Sequence, residues 1–228
     1  MRYKAILIDA DDTFFDFHQC ERNAIEALLK HVGIDDEKAP GIYSAINRAC
    51  WTDFENGLIT QARLSVRRFE ELLSCYGISH ITSAEACDFY EGALANQAVM
   101  IEGALETIER IAEKLPIAVV TNGLARCQHG RMNISPVKQY VKALIISQEL
   151  GAQKPDPKMI DTAISALGGV GKSDVLMVGD SLNSDMRCAM YAGVDGCWYN
   201  PKWLPRNLEI PVQYEIHDIR DLVAIALQ

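Results

Sequence analysis

Lys4 to Thr13 read Lys-Ala-Ile-Leu-Ile-Asp-Ala-Asp-Asp-Thr, an apolar run that ends in three carboxylates within four positions. Asp9, Asp11 and Asp12 repel one another at this density unless a cation lies among them. Three further groups of reactive residues follow in order: Thr121-Asn122-Gly123, Lys154-Pro155, and Gly179-Asp180-Ser181 with Asp185. Acid, hydroxyl, amine and acid around a cation suit a metal-assisted reaction on an anionic substrate, of which a phosphate ester is one. The reaction needs a nucleophile, a cation to screen the approach of like charges, a proton donor for the leaving alkoxide, and positive groups around the phosphoryl oxygens. Asp9, directly at the end of the apolar run, is the expected nucleophile. Asp11, two residues on, is within reach of the leaving oxygen as acid and then of the hydrolytic water as base. Lys154, biased to extended backbone by Pro155, is the expected cation beside both nucleophile and phosphoryl group. Thr121 and Asn122, where an apolar run gives way to a helix, are expected to donate to phosphate oxygens. Thr13 joins them among the substrate-binding residues. An all-oxygen ligand set suits Mg2+. Asp9 and Asp180 are the expected side-chain ligands, and Asp185 takes part either directly or through a bound water.

These groups are positioned by short apolar runs: the first before Asp9, then Ile117 to Val120, Ala143 to Ile146, and Val175 to Val178. Each is too short for a helix and suits a buried strand. Reactive residues where such runs stop correspond to the ligand-binding edge of an open parallel sheet. Between residues 17 and 93 the period is helical instead, with stretches Arg22 to His31, Tyr43 to Phe54, Thr60 to Tyr76 and Ser83 to Leu94. The first three close at Gly33, Gly57 and Gly77, as C-terminal caps would. This block reads as an α-helical insertion over the sheet edge. After it, helix-like and strand-like segments alternate: Glu102 to Lys114, Leu124 to Met132, Met159 to Leu167, Asn183 to Ala192, a last strand at Gly196 to Tyr199 and a closing helix at Asp218 to Leu227. The expected fold is α/β, a doubly wound parallel Rossmann-like core from 1–16 and 94–228, with a helical cap domain at 17–93.

The set Asp9-Ala10-Asp11-Asp12-Thr13, Thr121-Asn122, Lys154-Pro155 and Gly179-Asp180 with Asp185 resembles the four motifs of the haloacid dehalogenase (HAD) superfamily of phosphohydrolases, in order and across nearly the whole chain. The resemblance implies Mg2+-dependent hydrolysis of a phosphomonoester through an aspartyl-phosphate on Asp9, with the main-chain carbonyl of Asp11 joining Asp9, Asp180 and Asp185 around the metal. It also implies the helical cap after the first motif. Asp12 departs from the Gly that many members carry there. Dehalogenases of the superfamily need no acid at the place of Asp11, so phosphoryl transfer is expected over carbon–halogen cleavage. Trp51 to Thr60, with Asp9 to Asp12 and Cys197-Trp198-Tyr199-Asn200, is similar to the pyrimidine 5′-nucleotidase branch, whose substrates are nucleoside monophosphates such as UMP, dUMP and dTMP. Phe14, Phe15, Phe17, Trp51 and Phe54 either form a wall for a base or pack the interior. Alternative readings are a phosphatase of small sugar or carboxylic acid phosphates of the phosphoglycolate kind, a sugar phosphomutase, and a phospho-receiver-like signalling domain. The last is about half this length and has no helical insertion.

A chain of 228 residues with 49% hydrophobic and 23% charged residues can bury a substantial core. Its net charge of −9 argues against a nucleic-acid polymer or an anionic membrane as partner and leaves a small phosphorylated metabolite, with the protein a monomer or homodimer. Seven cysteines, an odd number with no Cys-x-x-Cys pair, indicate reduced, buried thiols and a cytoplasmic location. No run approaches the ~20 apolar residues of a membrane span, and Asp9 interrupts the first run before it could serve as a signal sequence.

Overall fold

Ala5-Ile6-Leu7-Ile8 is buried at every position and forms β1 (Ala5–Ile8). A strand apolar on both sides must be covered on both faces, which places it at the centre of a sheet. The computed structural model describes residues 1–228 apart from the side chain of Glu55. After β1 come α1 (Phe17–Val32), α2 (Ala39–Glu55), α3 (Gln61–Cys75), α4 (Ser83–Ala95) and α5 (Ala104–Ala112). Then follow β2 (Ile117–Thr121), α6 (Ala125–Ile134), β3 (Val141–Ile146), α7 (Ser147–Leu150), α8 (Lys158–Ala166), β4 (Val175–Gly179), α9 (Arg187–Ala192), β5 (Asp195–Tyr199), β6 (Tyr214–Ile216) and α10 (Leu222–Ala226). The strands form one parallel sheet in the order β3-β2-β1-β4-β5-β6. The chain divides into two compact units, residues 1–17 with 98–228, and residues 18–97.

In the first unit, the alternation of side chains along each strand splits the core into two layers. Ile6, Ile8, Val119, Leu176 and Val178 join Ile108 and Ile111 of α5 and Leu222 and Ala226 of α10 on one face. Ala5, Leu7, Ala118, Val120, Val175 and Met177 meet Met159, Ile160 and Ala163 of α8 and Cys188 and Ala189 of α9 on the other. This is the doubly wound, Rossmann-like arrangement expected from the alternation of segments. Within the same unit the segment before α1 pairs with the one before α5: the Asp16 N–H donates to Val99 O at 3.0 Å, and the Ile101 N–H to Phe14 O at 3.0 Å.

The second unit is helical. Thr60 caps α3 by accepting from the Arg63 N–H, and Thr82 with Glu85 makes a reciprocal capping box on α4. Its interior holds the rings of Tyr43, Phe69 and Tyr90, with centroids 5.2–5.6 Å apart. A polar chain is buried beside them. The Arg68 guanidinium donates to Asn47 Oδ1 at 3.1 Å, while Asn47 Nδ2 and the Ser44 hydroxyl each donate to Glu21 at 2.6 Å.

Local differences from the sequence expectations have physical causes. The segment expected as one helix from Asn183 begins instead as a π-helical turn, Leu182–Met186, because the Asp185 side chain turns back to accept from the Ser181 N–H. β6 was not expected from its three residues, Tyr214-Glu215-Ile216; it exists because β5 offers them a partner. Phe14 and Phe15 are fully buried, so they pack the core and are not part of a wall for a base. All seven cysteines are free as expected, but Cys75 is exposed rather than buried. Among the described residues, no helix is long and apolar enough to cross a membrane.

Candidate active site

The site is built where β1, β2 and β4 end side by side. β1 pairs with β2 on one side and with β4 on the other, and the Asp9 N–H continues the pairing by donating to Val178 O at 2.9 Å. The Asp9 carboxylate is therefore held by sheet backbone. It is 6% exposed. The chain then turns sharply: Asp12 has φ of 57°, and its N–H donates to Phe15 O at 2.8 Å. This left-handed conformation is cheapest for Gly and tolerable for Asp, a physical reason why either residue serves at this position.

Lys154 stands at the centre. Its ammonium donates to Asp9 Oδ1 at 2.5 Å, to Asp185 Oδ1 at 2.6 Å and to Val120 O at 2.8 Å, so all three of its N–H bonds are used. Its backbone is held by Asn122. The Asn122 Nδ2 donates to Lys154 O at 2.9 Å, and the Lys154 N–H donates to Asn122 Oδ1 at 2.7 Å. The side chain of Asn122, expected to meet phosphate, is spent on positioning Lys154. Thr13, also expected among the substrate-binding residues, is fully buried and donates to Asp9 Oδ2 at 3.2 Å, which places it behind the carboxylate. The Thr121 hydroxyl accepts from the Gly123 N–H at 3.2 Å and shapes the turn into α6.

Asp180 and Asp185 complete the acidic group. One oxygen each from Asp9, Asp180 and Asp185 lies within 4.8 Å of the others. Asp185 is 1% exposed, and its second oxygen accepts from the Ser181 N–H at 3.0 Å. Gly179 makes room for it, since a Cβ there would lie 2.3 Å from the Asp185 carboxyl. The Asp180 main chain is fixed from the neighbouring strand, where Trp198 Nε1 donates to Asp180 O at 2.7 Å.

The charges do not balance within the protein, because the buried Asp9 and Asp185 and the half-buried Asp180 share one ammonium. Burial, opposed by Lys154 and reinforced by Asp185 and Asp11, pushes the Asp9 pKa up to about 7. Burial and the charges of Asp185 and Asp9 raise Asp180 well above the carboxylate range. Burial works against the Lys154 cation, but Asp185 and Asp9 outweigh it and raise its pKa. A cluster that retains protons in this way fits a divalent cation, and its all-oxygen donors fit Mg2+. Asp180 is best placed as ligand, because no protein donor is bonded to its carboxylate among the described residues. Asp9 and Asp185 each have both carboxylate oxygens engaged, Asp9 by Lys154 and Thr13 and Asp185 by Lys154 and the Ser181 N–H.

Asp11 points to partners that the sequence did not single out. Arg131 donates to its Oδ1 and Gln128 Nε2 to its Oδ2, the latter at 2.7 Å. Both come from α6, three residues apart, and both are buried. Their only signal in the sequence is polarity on a helix directly after Thr121-Asn122-Gly123, which is common on solvated faces.

Comparison with known proteins agrees with this geometry. Residues 3–193 match the family model of the haloacid dehalogenase-like hydrolases. The chain is 34% identical to the pyrimidine 5′-nucleotidase PynA of Streptococcus pneumoniae, over 98% of this chain and 94% of that protein. It is 30% identical to the pyrimidine 5′-nucleotidase YjjG of Escherichia coli, over 88% and 87% of the two chains. The crystal structure of the HAD-hydrolase YfnB of Bacillus subtilis, described as bound to magnesium, superimposes with a TM-score of 0.91 at 30% identity, covering 99% of each chain.

Proposed function

The chain belongs to the haloacid dehalogenase-like hydrolases and is a phosphoric monoester hydrolase; from that premise we propose that it is a Mg2+-dependent 5′-nucleotidase of pyrimidine nucleoside monophosphates such as UMP, dUMP and dTMP, acting through an aspartyl-phosphate on Asp9. The observation that carries the chemistry is the Lys154 ammonium bonded to both Asp9 and Asp185, with Asp180 alongside. The substrate class rests on the similarity to PynA and YjjG.

In the first half-reaction an oxygen of Asp9 attacks phosphorus while the ester oxygen departs with a proton from Asp11. Lys154, bonded to Asp9, is placed to meet the phosphoryl oxygens. In the second half-reaction Asp11 takes a proton from the water that attacks the aspartyl-phosphate, which frees phosphate and restores Asp9. Asp9 and Asp180, with Asp185 behind them and the Asp11 carbonyl that the family resemblance implies, would hold Mg2+. When bound, the ion supplies positive charge against the repulsion between carboxylate and phosphate. Thr13 and Asn122 act on Asp9 and Lys154 respectively, and Thr121 orders the phosphate-facing turn.

The test is phosphate release with Mg2+ from a panel of nucleoside monophosphates, sugar phosphates and phosphoglycolate, run beside Asp9→Asn. UMP, dUMP and dTMP are expected to be preferred, and Asp9→Asn to fold normally and release no phosphate. Turnover of a sugar phosphate with none of UMP or dUMP would replace the nucleotidase reading; activity in Asp9→Asn would remove the nucleophile.

A further inference from the structure

We propose that Gln128 and Arg131 are positioning residues that hold the Asp11 carboxylate in the one orientation from which it can protonate the leaving oxygen. This rests on the reading of Asp11 as the proton donor. Asp11 is part-exposed and stands in a sharp turn, so its side chain by itself has several rotamers open to it. Proton transfer tolerates little misplacement. The two donors remove that freedom, because each takes a different carboxylate oxygen. Each oxygen keeps a second lone pair, so the transferable proton still has a place.

Three observations argue against a merely structural ion pair. Arg131 has no exposed surface, and its guanidinium lies 4.4 Å from the centre of the Phe15 ring, so a cation has been buried to reach this carboxylate. Gln128 lies under Gly123, where a Cβ would come within 2.2 Å of its Nε2; the turn that faces phosphate is thus left without a side chain at the point where Gln128 passes to Asp11. Both residues also belong to α6, which follows Thr121 and Asn122 directly. The turn that ties Lys154 through Asn122 thus runs on into the helix that carries both donors, and so sets the Lys154 position and the donor orientation together.

The inference is tested with two simple esters, p-nitrophenyl phosphate and benzyl phosphate, so that it does not depend on the nucleotide assignment. The p-nitrophenolate departs without a proton, whereas the benzyl alkoxide requires one. Because kcat/KM reports only transfer to Asp9, the later hydrolysis of the aspartyl-phosphate does not enter. Gln128→Met keeps the length of the side chain and is expected to lower kcat/KM for benzyl phosphate roughly 10-fold or more, within the range of general acid catalysis, with little change for p-nitrophenyl phosphate. Arg131→Lys is expected to retain more of the benzyl phosphate activity than Arg131→Met. Equal losses on both esters, or no loss on either, would overturn the positioning role. Asp11→Asn is the reference: if it fails to discriminate between the esters, the role of Asp11 as donor falls, a separate result from failure of Gln128→Met alone.

Discussion

Lys154 is the residue on which the acidic group depends. An ammonium buried to 3% exposure is costly to desolvate, and its three short hydrogen bonds, two of them to carboxylates, offset that cost. Substituting Lys154→Met removes the partner and leaves Asp9 and Asp185 buried without a cation. Breaking a buried pair in this way costs about 3–5 kcal/mol; urea unfolding in chelator should show the loss, and phosphate release should vanish. Retention of wild-type stability would mean that the acids are already neutral and gain nothing from the amine. Lys154→Arg is not a conservative change, since a planar fork cannot meet Asp9, Asp185 and the Val120 carbonyl as a compact ammonium does.

At the scale of elements, β4, the π-helical turn after it and β5 form the frame for Asp180 and Asp185. The strands provide the register, with Gly179 opposite Trp198. From there the Trp198 indole reaches the Asp180 carbonyl at 2.7 Å. Trp198→Phe keeps a buried aromatic ring but removes the donor. Loss of a partner that orients a metal ligand typically weakens metal affinity about 10–100-fold, and calorimetric titration with Mg2+ should show a weakening of that order with the fold retained. Unchanged affinity would place the control of Asp180 elsewhere. The helical stretches of the sequence were legible at this scale by period, and α1, α2 and α3 do end at Gly33, Gly57 and Gly77 in left-handed backbone. The π-helical turn was not legible, since its cause is a side chain folding back under the influence of Lys154, more than thirty residues away.

At the scale of the whole molecule, the acidic group links protons to stability, and the proposed function adds Mg2+ to that link. In the folded protein without metal, Asp9 titrates at about 7, against 3.8 for an ordinary aspartate. Between those values the folded state binds more protons than the unfolded one, so the stabilising effect of the bound proton is lost as pH rises. In chelator, the Tm of the wild type should therefore fall relative to that of Asp9→Asn as pH is raised from about 4 to about 7. Saturating Mg2+ should reverse the fall, because the ion binds the ionised folded form. A Tm gap that does not change with pH would mean that Asp9 is ionised across the range.

The kinds of reactive group and their order were determined by the sequence, and so was the attachment of Asp9 and Asp180 to the ends of apolar runs, because strands buried on both faces are written as short uninterrupted runs. Lys154, in a linker beyond β3, and Asp185, in the turn after β4, could be named only from the order of the motifs and the family resemblance. Which strands become neighbours was decided only by the tertiary structure: β1 lies between β2 and β4, and β6 is added beside β5. The pairings of β1 join segments more than a hundred residues apart, and no local pattern encodes them. For the same reason the clamp of Gln128 and Arg131 on Asp11, the tie from Asn122 to Lys154 and the indole of Trp198 on Asp180 came from the fold. Each is a polar side chain of ordinary local sequence that acquires its role from the strand or helix brought next to it.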